Sequence, residues 1–311
     1  MSTRSARRAQ IALGVLWLSD GVLQFQPYMF GRTFVTGVLL PNAAGQPGVI
    51  RAPITWMAHV IEPRIAVFNA FAATLQVLIG LGLLHRPTVR PALALSLVWS
   101  IAIWFGGEGL GMLFAGSANP LSGAPGAALL YVAAASLCWP REPRAGSVDA
   151  GRESGLVGER GARIAWSAVW LGSAALWLLP ANNGASAVHD MIAGAPSGAQ
   201  WLSRLLNGAA AATAGQGTTI AIVLAAASAT IGLAVLYGWH PPAFLAVQVA
   251  VLGLYWVLGQ GLGGIFTGRA TDVGTSPPMI LVALIVMHQS APSPTRVSSS
   301  RSIGTLAGEP G

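Results

Sequence analysis

Residues 66–84 read AVFNAFAATLQVLIGLGLL, a run that contains no charged side chain. At about 1.5 Å of rise per residue, a helix of this length matches the roughly 20 residues that cross the hydrocarbon of a bilayer. Comparable apolar runs occupy 9–29, 92–115, 122–139, 164–180, 218–237, 243–266 and 276–289. They are rich in Leu and Ala and lack sustained period-2 alternation, so they read as helices and not as barrel strands. The expected fold class is all-α: a polytopic integral membrane protein with eight transmembrane helices.

Composition agrees with that solvent. The 311 residues are 53% hydrophobic and only 9% charged, where a soluble domain carries about a quarter charged residues. The net charge of +7 comes from arginine alone, because the chain has no lysine. Beside abundant Ala, Gly and Pro, this reads as the codon usage of a GC-rich, bacterial sequence. Nucleic-acid binding is not expected, because the arginines lie at topological positions. Arg4, Arg7 and Arg8 precede the first run, and Arg141, Arg144, Arg152, Arg160 and Arg163 separate the fourth from the fifth. With the N-terminus inside, inner segments hold 12 arginines and outer segments 5. That predicts a multi-pass protein of the cytoplasmic membrane with both termini cytoplasmic. The basic, apolar start is read as an uncleaved first span, since Asp20 interrupts it and no small-x-small cleavage site follows. The single cysteine, Cys138, excludes an internal disulfide or a CxxC pair and is expected to be a packing residue.

The two halves of the chain resemble each other. Val15-Leu16-Trp17-Leu18-Ser19-Asp20 through Pro27 parallels Ala168-Val169-Trp170-Leu171-Gly172-Ser173 through Pro180, 153 residues on. Trp104-Phe105-Gly106-Gly107-Glu108-Gly109-Leu110-Gly111 parallels Trp256-Val257-Leu258-Gly259-Gln260-Gly261-Leu262-Gly263 at an offset of 152, which Gly80 and Gly232 also keep. An even number of spans per copy makes the two four-helix repeats parallel. The expected organisation is a first repeat over 1–140, a cytoplasmic linker over 141–163, a second repeat over 164–289 and a disordered tail over 290–311. Each repeat has a long outer connection after its first helix. Ile50, Ile54, Met57, Ala58 and Ile61 in one, and Trp201, Leu202, Leu205, Leu206 and Ala209 in the other, fall at helical spacing. With Trp56 and Trp201, they predict amphipathic helices at the outer interface.

Few residues could carry chemistry. Asp20 lies about eleven residues into the first run, near mid-bilayer, where a carboxylate costs about 2.5–3.5 kcal/mol on insertion scales. It must face the bundle interior, be protonated or have a partner. Trp17, Asp20, Gln24 and Tyr28 lie on one helical stripe. Asp20 is either an acid that handles protons or ligand, or a hydrogen-bonded packing residue. Glu108 sits among Gly106, Gly107, Gly109 and Gly111. It is either the acid of a broken-helix site or a satisfied residue at a tight helix crossing. Ser173 and Gln260 replace Asp20 and Glu108 in the second half, keeping hydrogen bonding and deleting the acid. The first repeat is then the working copy and the second a scaffold.

The remaining candidates are on the outer face. Arg32, Arg51, Arg64 and Arg204 either gather an anion or anchor at headgroups. His59 and Glu62, at i and i+3, would need further ligands to hold a metal. His59, His85, His189, His240 and His288 fall in loops or near membrane surfaces, so no bis-histidine haem site is expected. No metal site or catalytic constellation is expected, and no cofactor can be named.

Each half resembles the DoxX-like group of four-helix membrane proteins, which includes the small subunit of thiosulfate:quinone oxidoreductase and the MauE-type proteins. The resemblance rests on Gly14-Val15-Leu16-Trp17-Leu18 with Asp20-Gly21, and on Leu78-Ile79-Gly80-Leu81-Gly82-Leu83-Leu84 followed by His85-Arg86. It implies a non-catalytic subunit or assembly partner of a membrane redox system. Redox-active cysteines of that group have no equivalent here. A small-molecule or proton-coupled transporter using Asp20 and Glu108 is the alternative. A membrane enzyme acting on a lipid or quinone, with Glu108 as acid or base, is the third reading.

Overall fold

The computed structural model describes residues 3–140, 155–239 and 241–290. Most of the expected linker (141–154), the expected tail (291–311) and His240 lie outside the described residues.

The described residues form helices and no strand. In chain order these are α1 (Thr3–Leu23), α2 (Arg32–Phe34), α3 (Gly48–Ile61), α4 (Ile65–Leu84), α5 (Val89–Ala102), α6 (Ala127–Leu137), α7 (Gly158–Trp177), α8 (Ala187–Ala193), α9 (Gln200–Thr213), α10 (Gly217–Tyr237), α11 (Pro242–Leu258) and α12 (Ser276–Ser290). Gly158–Arg163, expected as linker, is the start of α7. Three helical stretches are long and apolar enough to cross a membrane: Gly48–Leu84, Arg86–Gly107 and Gly217–Tyr237. Ala127–Leu137, Ala243–Leu258 and Ser276–Gln289 are apolar but shorter.

Large apolar side chains point outward along these helices. Val67, Phe71 and Leu78 on α4, and Leu95, Val98 and Ile101 on α5, are exposed. Contiguous apolar surface of this extent has no place in water. It marks a membrane protein.

Inside, pairs of helices cross through glycine. At the α1–α4 crossing, a Cβ on Gly80 would meet Leu18 Cγ at 2.6 Å and Gly14 O at 2.9 Å. At the α7–α10 crossing, a Cβ on Gly232 would meet Leu171 Cγ at 2.9 Å. Small residues there let backbones approach closely. Indole N–H groups tie the bundle across helices: Trp17 donates to Ser96 Oγ at 2.9 Å, and Trp166 donates to Gln248 Oε1 at 2.9 Å. Cys138 is fully buried packing.

Helix ends depart from the apolar runs for local reasons. The first helix closes at Leu23, and Pro27 opens a separate 3-10 turn, so Tyr28 leaves the Trp17–Gln24 stripe and donates to Thr33 O at 2.9 Å. Asp20 therefore lies in the last turn of α1 and not at its middle. The third run does not reach 115. After α5 a π-helical turn (Ile103–Gly107) ends at Glu108, and Leu110 and Gly111 take left-handed backbone, with φ of 57° and 63°. The seventh run stops likewise, with Leu262 and Gly263 at φ of 58° and 70°. Glycine is required at these breaks. A Cβ at Gly111 would run into the Pro125 carbonyl, and one at Gly261 into the Pro196 carbonyl.

The amphipathic connections are helical. α3 buries Ile50, Ile54, Ala58 and Ile61 and exposes Trp56. α9 buries Leu202, Leu206 and Ala210, while Leu205 and Trp201 face outward. The buried stripe of α9 therefore runs along one side of the expected set.

Candidate functional site

Two adjoining cavities occupy the end of the bundle where α1 and α5 finish and α6 and α12 begin. The inner chamber, about 200 Å³, is bounded by α1, α3, α4, α5 and α6. The outer vestibule, about 600 Å³, lies among the segments that precede α6 and α12. Glu108, Ala127 and Asp272 line both, so the two spaces share a wall.

Asp20 is 4% exposed and lines the inner chamber. Its Oδ2 accepts the Tyr131 hydroxyl from α6, and its Oδ1 accepts Val273 N–H at 3.1 Å. Val273 belongs to the stretch before α12, so one carboxylate joins three distant parts of the chain. The Tyr131 ring packs edge-on against Trp17, with centroids 4.6 Å apart. Gln24 is buried beside Asp20. Its side-chain amide donates to Thr271 O at 3.1 Å, and its backbone carbonyl accepts Asn69 Nδ2 at 2.7 Å. The segment before α12 is thus latched onto the end of α1.

Glu108 stands at the break after α5 and accepts Ala128 N–H with both oxygens, at 3.0 and 3.3 Å. It caps the start of α6, where the aligned peptide dipoles favour negative charge. Gln260 does the same for α12. Its Oε1 accepts Thr275 N–H at 2.9 Å and Ser276 N–H at 3.1 Å, and its Nε2 donates to Ser276 Oγ at 3.0 Å. Both polar groups of Gln260 are committed to backbone and cap. Ser173 is buried, and its hydroxyl turns back to Val169 O at 2.8 Å.

The chamber contains groups that the sequence did not single out. Asp272 lines both cavities and holds a tight turn, accepting Thr271 Oγ1 and Gly274 N–H at 2.7 Å each. It lies within electrostatic reach of Asp20 and Glu108. Asn69, Gln76, Trp99 and Tyr131 complete the polar lining. Asn69 and Gln76 carried a readable signal, being amides seven residues apart on one helix face in an otherwise apolar run. Asp272 carried none, since it sits in an irregular connection.

The outer-face candidates stay apart from this site. Arg32, Arg51, His59 and Arg64 are exposed and Glu62 is half-buried, and none of them lines either cavity. His59 Nδ1 pairs with the Thr55 carbonyl on its own helix at 2.6 Å. Among the described residues no group of three His, Cys, Asp or Glu side chains could hold a metal ion.

No protein family, curated protein or solved structure matches this chain. The chemistry of the site must speak for itself. Three carboxylates from α1, the end of α5 and the approach to α12 line one cavity. Among the described residues, no arginine or histidine lines either cavity. Such a space attracts protons or cations.

Proposed function

We propose that this chain is an eight-span membrane protein of two parallel four-helix repeats that binds a small solute from the outer face, in the manner of a carrier. The observation that carries the binding role is the acidic inner chamber, walled by protein and adjoined by a wider vestibule.

The two-repeat architecture draws support from spacing. α3 and α9 start 152 residues apart, and so do α4 and α10. The left-handed pairs Leu110-Gly111 and Leu262-Gly263 keep the same offset. In the eight-span reading, the short helices α6 and α12 are completed by irregular segments that lie against protein and line the vestibule. Non-helical backbone at membrane depth is tolerated only in such places. Half-helices whose N-terminal ends face a binding site are a recurrent transporter device. Asp20 and Glu108 of the working site come from the first repeat and Asp272 from the second, while the second-half counterparts Ser173 and Gln260 carry no charge.

Cysteine scanning tests this reading, because the native Cys138 is buried and gives little background. Ser122→Cys probes the vestibule and Ala127→Cys the chamber wall. A membrane-impermeant methanethiosulfonate added outside intact cells should modify both, and a cationic reagent should outpace an anionic one at Ala127→Cys. Failure of both positions to react from outside would remove the proposal. The partner-subunit role implied by the resemblance is the competing proposal. Stoichiometric recovery of a redox protein in mild detergent would favour it.

A further inference from the structure

We infer that the ligand of the inner chamber is a small organic ammonium ion that carries at least one N–H. The inference rests on the binding role proposed above and names the solute class.

Three features point the same way. The first is charge. Asp20, Glu108 and Asp272 line the chamber, and no cationic side chain among the described residues joins them there. Their existing partners are neutral donors: Tyr131 and Val273 for Asp20, Ala128 for Glu108, and Thr271 and Gly274 for Asp272. Carboxylates grouped in a poorly hydrated space repel one another, and a bound cation relieves all three.

The second is an unused acceptor. Gln76 on α4 is 4% exposed and lines the chamber, and its Oε1 has no hydrogen-bond partner. Buried acceptors in native proteins are almost always matched with a donor. An ammonium N–H supplies that donor, and a quaternary ammonium does not. Trp99 Nε1, also buried and unpartnered, lines the same chamber and offers a donor in return. A hydroxyl or ether oxygen on the ligand would accept it.

The third is the wall. Trp17, Phe34, Phe68 and Trp99 line the same cavity as the acids. Aromatic faces attract organic cations through the ring quadrupole and accept the apolar body of such a molecule. A bare divalent ion fits poorly, since no three acidic or histidine side chains among the described residues come close enough to hold one. At roughly 30 Å³ per water-sized unit, a chamber of about 200 Å³ takes a molecule of some half a dozen heavy atoms.

The probes are ethanolamine hydrochloride, tetramethylammonium chloride, sodium chloride and sodium propionate, at neutral pH and equal ionic strength. Each is titrated into the purified full chain in detergent, by calorimetry and by thermal unfolding. Ethanolammonium should bind saturably and raise the unfolding temperature, tetramethylammonium should bind more weakly, and propionate should not bind. Asp20→Asn should weaken ethanolammonium at least about tenfold. Gln76→Leu should weaken ethanolammonium and leave tetramethylammonium unchanged, a split that general damage to the fold would not produce. Absence of saturable ethanolammonium binding, or equal binding of propionate, overturns the inference. If Ala127→Cys still reacts from outside in that case, the ligand class alone is wrong. If it does not react, the chamber reading fails and the ligand class with it.

Discussion

Thr275 donates its hydroxyl to the carbonyl oxygen of Gly123 at 2.9 Å, and the two residues stand 152 positions apart. In the two-repeat reading proposed above, that separation equals the offset between the copies, so matching positions would touch each other. Equivalent residues meet where a two-fold relation passes between copies. α6 and α12, the matching helices of that reading, pack together just beyond this contact. Thr275→Val keeps shape and removes the donor, leaving the Gly123 carbonyl without it. That carbonyl still accepts Gly126 N–H at 2.8 Å, so the change removes one net hydrogen bond, worth about 0.5–1.5 kcal/mol. A lower unfolding temperature in detergent, with Thr275→Ser, which keeps the hydroxyl, closer to the native value, is the expected result.

The left-handed breaks predict a sharp contrast among glycines. Gly111→Ala and Gly261→Ala place a methyl group against a backbone carbonyl at positive φ, of 63° and 51°. Neither neighbour is a side chain that can rotate away, so each change should cost about 3 kcal/mol or more. Gly172 lies inside α7 with nothing within 4 Å of a built Cβ. There alanine should stabilise by about 0.5–1 kcal/mol through helix propensity. Membrane abundance and fluorescence-detected size exclusion of the three variants check the ordering.

Asp20 and Tyr131 predict a coupled pair. Tyr131→Phe deletes the hydroxyl that Asp20 Oδ2 accepts. The expected loss is about 1–3 kcal/mol of stability. In Asp20→Asn the amide oxygen can still accept from Tyr131, but its NH2 then faces the Val273 N–H, two donors opposed. A double-mutant cycle in detergent should give a non-zero interaction energy for the pair. Additive losses would show that the hydroxyl and the carboxylate act independently.

How much of this was readable beforehand depends on the range of the interaction. Each of the eight apolar runs contains a helix, because composition and the absence of charge are local properties. The ends were misplaced where backbone, not side-chain polarity, decides. Gly109 and Gly111 break the third run inside an apolar stretch, and Pro120, Gly123 and Pro125 delay α6 until Ala127. Asp20 and Glu108 stood out because charge is rare in such segments. Asp272 did not, because its place beside them comes from the Val273–Asp20 bond across 253 residues. No spacing pattern encodes that contact. Gln260 looked like a candidate because it stands where the second half matches Glu108, and its two backbone partners make it a cap.

The parallel caps give the sharpest separation of structure from chemistry. Glu108 and Gln260 occupy equivalent breaks, and each presents an acceptor oxygen to the first N–H groups of the following helix. Gln260 shows that a neutral amide performs this structural task. Glu108→Gln should therefore fold and reach the membrane at native levels, whereas Glu108→Ala, which leaves the α6 terminus uncapped, should lose about 1 kcal/mol. Any function that needs the negative charge should vanish in both. In the Ala127→Cys background, Glu108→Gln should shrink the preference for a cationic over an anionic reagent. An unchanged preference, with intact folding, would mean that Glu108 is a cap and nothing more, leaving Asp20 and Asp272 to set the charge of the chamber.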